Sequence, residues 1–162
     1  MISAWRIVKR RYAEHAFDGE GARRFGGRWN SPGRPVVHVS ESGALATLEI
    51  LAGLGTTGPL PAWVIIGVRF PEEIVAGVGD LLDPAGLPGG WDSCPPTFVS
   101  QGIGDRWLDE ATSAALRVPS VIVPAESNFL LNPRHPEFER LEIGAPEELR
   151  LDPRLVGRAP ED

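Results

Sequence analysis

Residues 26–50, GGRWNSPGRPVVHVSESGALATLEI, run from a glycine-rich loop into a short apolar strand and then into a helix. VVHV (36–39) is the strand. Ser40 or Ser42 is placed to cap the next element, because a hydroxyl accepts from the orphan N–H groups of a first helical turn. SGALATLEILAGLG (42–55) is the helix, stopped by Gly53 or Gly55. Three demanding side chains fall on these successive elements: Arg28 on the loop, His38 on the strand and Glu49 on the helix. Two of them stand where a hydrophobe would be easier to bury.

Upstream, AWRIVK (4–9) reads as a first strand, and residues 12–35 read mostly as loop. Downstream, AWVIIGVRF (62–70) is a strand whose continuous apolar character predicts burial on both faces. VGDLL (78–82) is a candidate strand, and residues 83–97 form a long surface or lid loop. A helix is expected within 98–116 from about Ile103, with Leu108, Ala111 and Ala115 on one side. VPSVIVP (118–124), NFLLN (128–132) and EFERLEIG (137–144) read as strands, and DPRLV (152–156) as a terminal helical turn. Many strands with two helices, not in regular alternation, predict an α+β fold.

The length, 162 residues, fits one domain, and a chain of this size buries roughly 68–70% of the surface its unfolded form exposes. The 19 glycines and 16 prolines, about twice their usual share, predict short elements and many turns. A single cysteine, Cys94, excludes an internal disulfide and a thiolate metal site, and nothing basic stands near it in sequence to make it reactive. No signal peptide is apparent and no apolar run is long enough to span a bilayer, so a soluble, cytoplasmic protein with no membrane role is expected. The net charge of −6 argues against direct nucleic-acid binding. The charge is uneven: residues 1–34 hold eight Lys/Arg against three Asp/Glu, in the region where glycines also concentrate. That excess is either a solvated basic surface or a pocket for an anion such as phosphate.

Glu49 shares a helical stripe with Leu45, Leu48 and Ala52. Burying a carboxylate costs several kcal/mol unless it is paired or hydrogen-bonded, so Glu49 either reaches out at the rim or is held facing a pocket. Arg28 follows Gly26 and Gly27, which let backbone approach a ligand closely, and its guanidinium fork suits phosphate or carboxylate. A structural salt bridge is the alternative. His38 reads as a core or interface histidine or as a site residue. GEGARR lacks the third glycine of a dinucleotide fingerprint, and Gly21-x4-Gly26 is not followed by Lys-Ser/Thr. No His/Asp/Glu cluster has metal spacing, and Ser127 has no GxSxG elbow, so a binding hydroxyl or a capped turn suits it better than a nucleophile.

GEGARRFGGRWNSPGRPVVHVSESGALATLEIL, GDRWL, LRVPSVIVPAESNFLLNPRHPEF and DPRL, taken together and in this order, resemble the RES domain family from about Trp5 to Leu155. The resemblance implies a single RES domain over residues 1–162, with an ADP-ribosyltransferase-like fold: two small sheets around an NAD cleft. It implies a toxin of a bacterial toxin–antitoxin pair that breaks NAD⁺ at the nicotinamide–ribose bond. Water, phosphate or a protein would accept the ADP-ribose. NAD⁺ would be the substrate, with no further cofactor and no metal. The implied partner is an Xre-type helix-turn-helix antitoxin whose C-terminal segment blocks the cleft.

On this resemblance Arg28, Glu49 and Ser127 fall on the family's arginine, glutamate and serine. His38 stands where the family commonly has tyrosine, which leaves a catalytically weakened NAD-binding module as a competing reading. The implied catalytic set is Glu49, Arg28, His38 and Ser127. Arg28, Trp29, Ser127, Asn128 and Arg6 are the implied contacts to NAD⁺.

Overall fold

The computed structural model describes residues 1–54, 61–80 and 86–155. Strand β1 (Ile2–Lys9) leads through a 3-10 turn to a short helix α1 (Glu20–Phe25), then β2 (Val37–Ser40) and helix α2 (Gly43–Gly53). Next come β3 (Trp63–Phe70), β4 (Val75–Gly77), helix α3 (Phe98–Glu110), β5 (Ala115–Pro119) and β6 (Ser127–Leu131). The short strands β7 (Glu142–Ile143) and β8 (Glu147–Leu149) complete the order. The class is α+β. The sheet runs in the order β4-β5-β6-β2-β1-β3-β7, with β8 also on β3, and among the described residues only β4 and β5 pair in parallel.

The expected pair of small sheets is, in hydrogen bonding, one continuous sheet, and the reason lies at a single seam. β1 pairs with β3 along its whole length, from Ile2 opposite Phe70 to Lys9 opposite Trp63. Against β2 it makes one bridge, Trp5 opposite Ser40. Beyond that bridge the strands part. Arg6 Nη1 enters the gap and donates to the His38 carbonyl at 2.6 Å, supplying the bond that a ladder would otherwise provide.

Alternation along β6 shows how the sheet is buried. Phe129 and Leu131 pack on one face with Val37, Val39 and Phe70, and Leu130 packs on the other with Trp107, Leu116 and Val118. Burial of each such side chain contributes about 1.5–3 kcal/mol. Phe70 and Phe129 meet edge to face at 5.4 Å. β3 buries Val64, Ile66, Val68 and Phe70 on one face, but on the other only Trp63 is buried and Arg69 is exposed, so the burial expected on both faces holds for one.

Several elements differ from expectation. Helix α3 begins at Phe98, capped by Thr97, and buries Ser100, Gly104 and Trp107. The expected Leu108–Ala111–Ala115 side fails because Ala111 takes a left-handed turn that ends the helix and Ala115 opens β5. The strand expected over 118–124 stops at Pro119, and residues 137–144 begin as a 3-10 turn before β7. Residues 78–80 are a 3-10 turn, whereas 81–85, Gly55 and Val156 lie outside the described residues.

Of the two candidate caps for α2, Ser42 is the one used. Its hydroxyl accepts from the Leu45 amide at 3.0 Å and donates to Glu126 at 2.7 Å, tying the helix start to the loop before β6. Ser42→Ala is expected to lower stability by about 1 kcal/mol, read as a shift in the urea midpoint at unchanged slope.

Candidate active site

Glu49 lies one turn beyond Leu45 and Ala46, the two fully buried residues of α2, and is itself partly buried. Leu48, expected on the same stripe, is 39% exposed, so the buried line runs through Ala46 rather than Leu48. Glu49 projects into a cleft of about 180 Å³ at the seam between β1 and β2. Trp5, Arg6 and Ile7 of β1, His38 and Ser40 of β2, Ala46 and Ile50 of α2, and Asn128 of β6 complete the lining.

The carboxylate is fixed through one oxygen. Asn128 Nδ2 donates to Glu49 Oε1 at 2.6 Å and Ser120 Oγ donates to the same atom at 3.1 Å. Asn128 is held in turn, because its Oδ1 accepts from Ser40 Oγ at 2.7 Å, across the register that sets Ser40 opposite Asn128. Ser120 is fully buried, and its oxygen also accepts from the amides of Ile122 and Val123 at 3.1 Å each, so its single hydrogen is committed to Glu49. Among the described residues, no donor reaches Glu49 Oε2.

His38 is neutral at physiological pH. Burial, then the neighbouring Arg6 charge, pushes its imidazole down to about 4. Burial likewise lowers the Arg6 guanidinium to about 10, with Asp18 offsetting part of the effect, so Arg6 stays charged. The unfolded chain takes up the His38 proton near its ordinary value of 6.5, and the folded chain resists until about pH 4. The unfolded state therefore binds more protons in that window, and stability falls as pH drops through it. His38→Tyr is expected to remove this contribution, up to about 1.4 kcal/mol per pH unit, leaving stability near pH 8 little changed. Denaturant titrations of both proteins from pH 8 to pH 4 read the difference.

The expected site residues divide. Glu49, His38, Asn128 and Arg6 meet in the cleft. Arg28 does not line it. Its Nη1 donates to the carbonyls of Trp91 and Ser93 at 3.0 and 2.8 Å, holding the 86–97 loop, and no salt bridge to Glu49 forms. It remains near, because Gly27 sits against the His38 ring: a Cβ there would stand 3.5 Å from Nε2. Gly26 turns the loop with φ +68°, where a side chain would be strained. Trp29 is 3% exposed, stacks with Trp91 at 5.8 Å, and belongs to the core under α3. Ser127 is also outside the cleft. Neighbours on a strand face opposite ways, and with Asn128 turned toward Glu49 the Ser127 side chain points elsewhere.

Sequence reasoning misses Ser120, Ser40 and Trp5 as site residues. Ser120 has a signal: Pro119 and Pro124 bracket a serine that makes its own turn, which a strand reading of 118–124 conceals. Among the described residues no His/Cys/Asp/Glu group could hold a metal ion, and no helix is long and apolar enough to cross a membrane.

Comparison with known proteins places this geometry in a family. The RES domain matches residues 3–152. The chain is 38% identical over 160 residues to the Prs ADP-ribosylating toxin of Sphingobium sp. (strain YBL2), covering 97% of this chain and 98% of that protein. It is 36% identical over 159 residues to Toxin Res of Photorhabdus laumondii, covering 94% and 96%. A chain in the crystal structure of the M. tuberculosis MbcT–MbcA toxin–antitoxin complex superposes with a TM-score of 0.73. That superposition covers 91% of this chain and 84% of the other at 18% identity, a likeness of fold. By the extent of the domain match and the near full-length identity to these relatives, the chain belongs to the RES domain family.

Proposed function

We propose that this protein is the toxin of a toxin–antitoxin pair and that it breaks NAD⁺ at the nicotinamide–ribose bond. One observation carries the reading: a carboxylate anchored through Oε1 by Asn128 and Ser120, opening on a cleft that also holds a cation and a neutral aromatic ring. When the C1′–N bond breaks, its electron pair goes to the nicotinamide nitrogen, which leaves neutral and needs little acid help. The ribose becomes cationic, and a prepositioned carboxylate stabilises that charge as it grows. Glu49 Oε2 is the atom for this role or for a ribose hydroxyl.

His38, held uncharged, offers a flat ring to nicotinamide without repelling the ribosyl cation. Arg28 supplies charge for the diphosphate: its Nε and Nη2 bond to no described residue, and its glycine loop abuts the cleft beside His38. Ser127, Asn128, Trp29 and Arg6 are the remaining contacts assigned from the family resemblance. Of these, Arg6 and Asn128 have support from position in the cleft. The partner in this reading is an Xre-type antitoxin whose C-terminal segment covers the cleft, and the setting is the cytoplasm.

Incubation with NAD⁺, with and without phosphate, and identification of products by mass tests the reading. Nicotinamide with ADP-ribose, or with its phosphorylated form, is expected, and intact NAD⁺ overturns it. Transfer to a protein is a second reading, favoured by the 38% identical relative named as an ADP-ribosylating toxin. ADP-ribose bound to a protein rather than released would select it.

A further inference from the structure

Helix α3 grips the glycine loop from behind through one row of side chains. Gln101, Asp105 and Asp109 stand at four-residue intervals and therefore on one face of the helix. Each takes a different part of the loop. Gln101 Nε2 donates to the Gly27 carbonyl at 3.0 Å. Asp105 accepts from the Ser31 amide at 2.9 Å and from its hydroxyl, and Asp109 accepts from Arg34 Nη2 at 2.7 Å. The two aspartates hold a stretch that lies outside the cleft, whereas Gln101 holds the residue that meets it.

In front of Gly27 is His38. A Cβ at Gly27 would stand 3.5 Å from His38 Nε2 and 3.6 Å from Cε1, so the Gly27 backbone covers that edge of the ring. The Gly27 carbonyl and the Arg28 N–H belong to one rigid peptide plane. Two glycines in succession, Gly26 with φ +68°, leave that plane free to turn unless something fixes it. Among the described residues, no donor but Gln101 reaches the carbonyl. Left unpaired, the carbonyl would turn toward water, lifting Gly27 off the ring and swinging the Arg28 backbone with it.

We propose that Gln101 is a positioning residue of the cleft: its amide locks the Gly27–Arg28 peptide, which keeps Gly27 against the His38 ring and sets the direction in which Arg28 leaves the loop. Gln101 does not line the cleft and acts through these two residues. The proposal rests on the NAD⁺ reading for the reaction affected, and not for the chain of contacts from Gln101 through Gly27 to His38.

Gln101→Met keeps the length of the side chain and removes the donor, and Gln101→Leu is a second donorless variant should the first fold poorly. Asp109→Ala cuts the same row at its far end and is the control for a purely structural tie. Two measurements on folded proteins separate the roles. In steady-state NAD⁺ cleavage, Gln101→Met is expected to raise KM roughly three- to tenfold, the scale of one lost hydrogen bond, with kcat within about twofold of wild type, because Arg28 and His38 hold ground state and transition state alike. In proton NMR, with His38 assigned by its absence in His38→Tyr, the ring is expected to titrate above the wild-type value of about 4 and toward 6.5, as water reaches the edge that Gly27 leaves while the Arg6 charge stays. Asp109→Ala should match the wild type in both. A folded Gln101→Met protein with wild-type KM or wild-type His38 titration, or equal changes in Asp109→Ala, overturns the proposal. Should the wild type leave NAD⁺ intact, the reaction is misassigned and the titration alone decides: a raised His38 value supports the proposal and an unchanged one overturns it.

Discussion

Gly104→Ala is expected to cost about 3 kcal/mol or more, a large part of the 5–15 kcal/mol that holds a typical domain folded. A Cβ at Gly104 would stand 1.7 Å from the Trp29 carbonyl oxygen and 2.8 Å from its carbonyl carbon. Both obstacles are backbone, so no rotamer change relieves them. The Trp29 segment cannot drift away. Asn30, fully buried, donates Nδ2 to the carbonyls of Ala22, Ser31 and Arg34, and Ser31 and Arg34 bond to Asp105 and Asp109 of α3 itself. Alanine favours a helix over glycine by about 1 kcal/mol, which is too little to offset the clash. Gly102 on the same helix has nothing within 4 Å of its Cβ position, so Gly102→Ala should be neutral or slightly stabilising. Urea unfolding of the two variants separates clash from propensity, and a Gly104→Ala protein as stable as wild type would contradict this packing.

Glu49→Gln is expected to slow NAD⁺ cleavage by about 10²–10³, with most of the loss in kcat, because the charge acts on the transition state rather than on bound substrate. The amide keeps the shape of the carboxylate. Its oxygen can still accept from Asn128 and Ser120, so the helix and the loop after β5 stay in place. What disappears is the negative charge beside the sugar. Steady-state release of nicotinamide, measured on protein whose circular dichroism matches wild type, reads the effect. Equal turnover by both proteins would remove Glu49 from the mechanism.

Local patterns in the chain announce much of this architecture. The strand–cap–helix run around Ser42 is legible because one hydroxyl and a change of apolar period mark it, and Glu49 stands out as a charge on an otherwise apolar helix. What local pattern cannot show is which elements become neighbours. The single Trp5–Ser40 bridge opens the seam, and that opening brings Arg6, singled out in sequence only by the family resemblance, into the cleft. The two-glycine loop draws attention to Arg28, yet the loop lays its Nη1 on the Trp91 and Ser93 carbonyls, more than 60 residues away in the chain. Ser127 and Ser120 illustrate the same limit. Period-two alternation decides which side chains reach Glu49, and it is read correctly only once the end of β5 at Pro119 is known.

The most direct test of a carboxylate stabilising a ribosyl cation is an isotope comparison at the reacting carbon. NAD⁺ carrying deuterium at C1′ of the nicotinamide riboside competes with ordinary NAD⁺ for the wild-type chain, and the isotope content of the remaining NAD⁺ is followed by mass. The protium form is expected to be consumed faster, because C1′ flattens toward a planar cation before the acceptor bonds. Equal consumption of the two forms, or NAD⁺ that never releases nicotinamide, would contradict a ribosyl cation held beside Glu49.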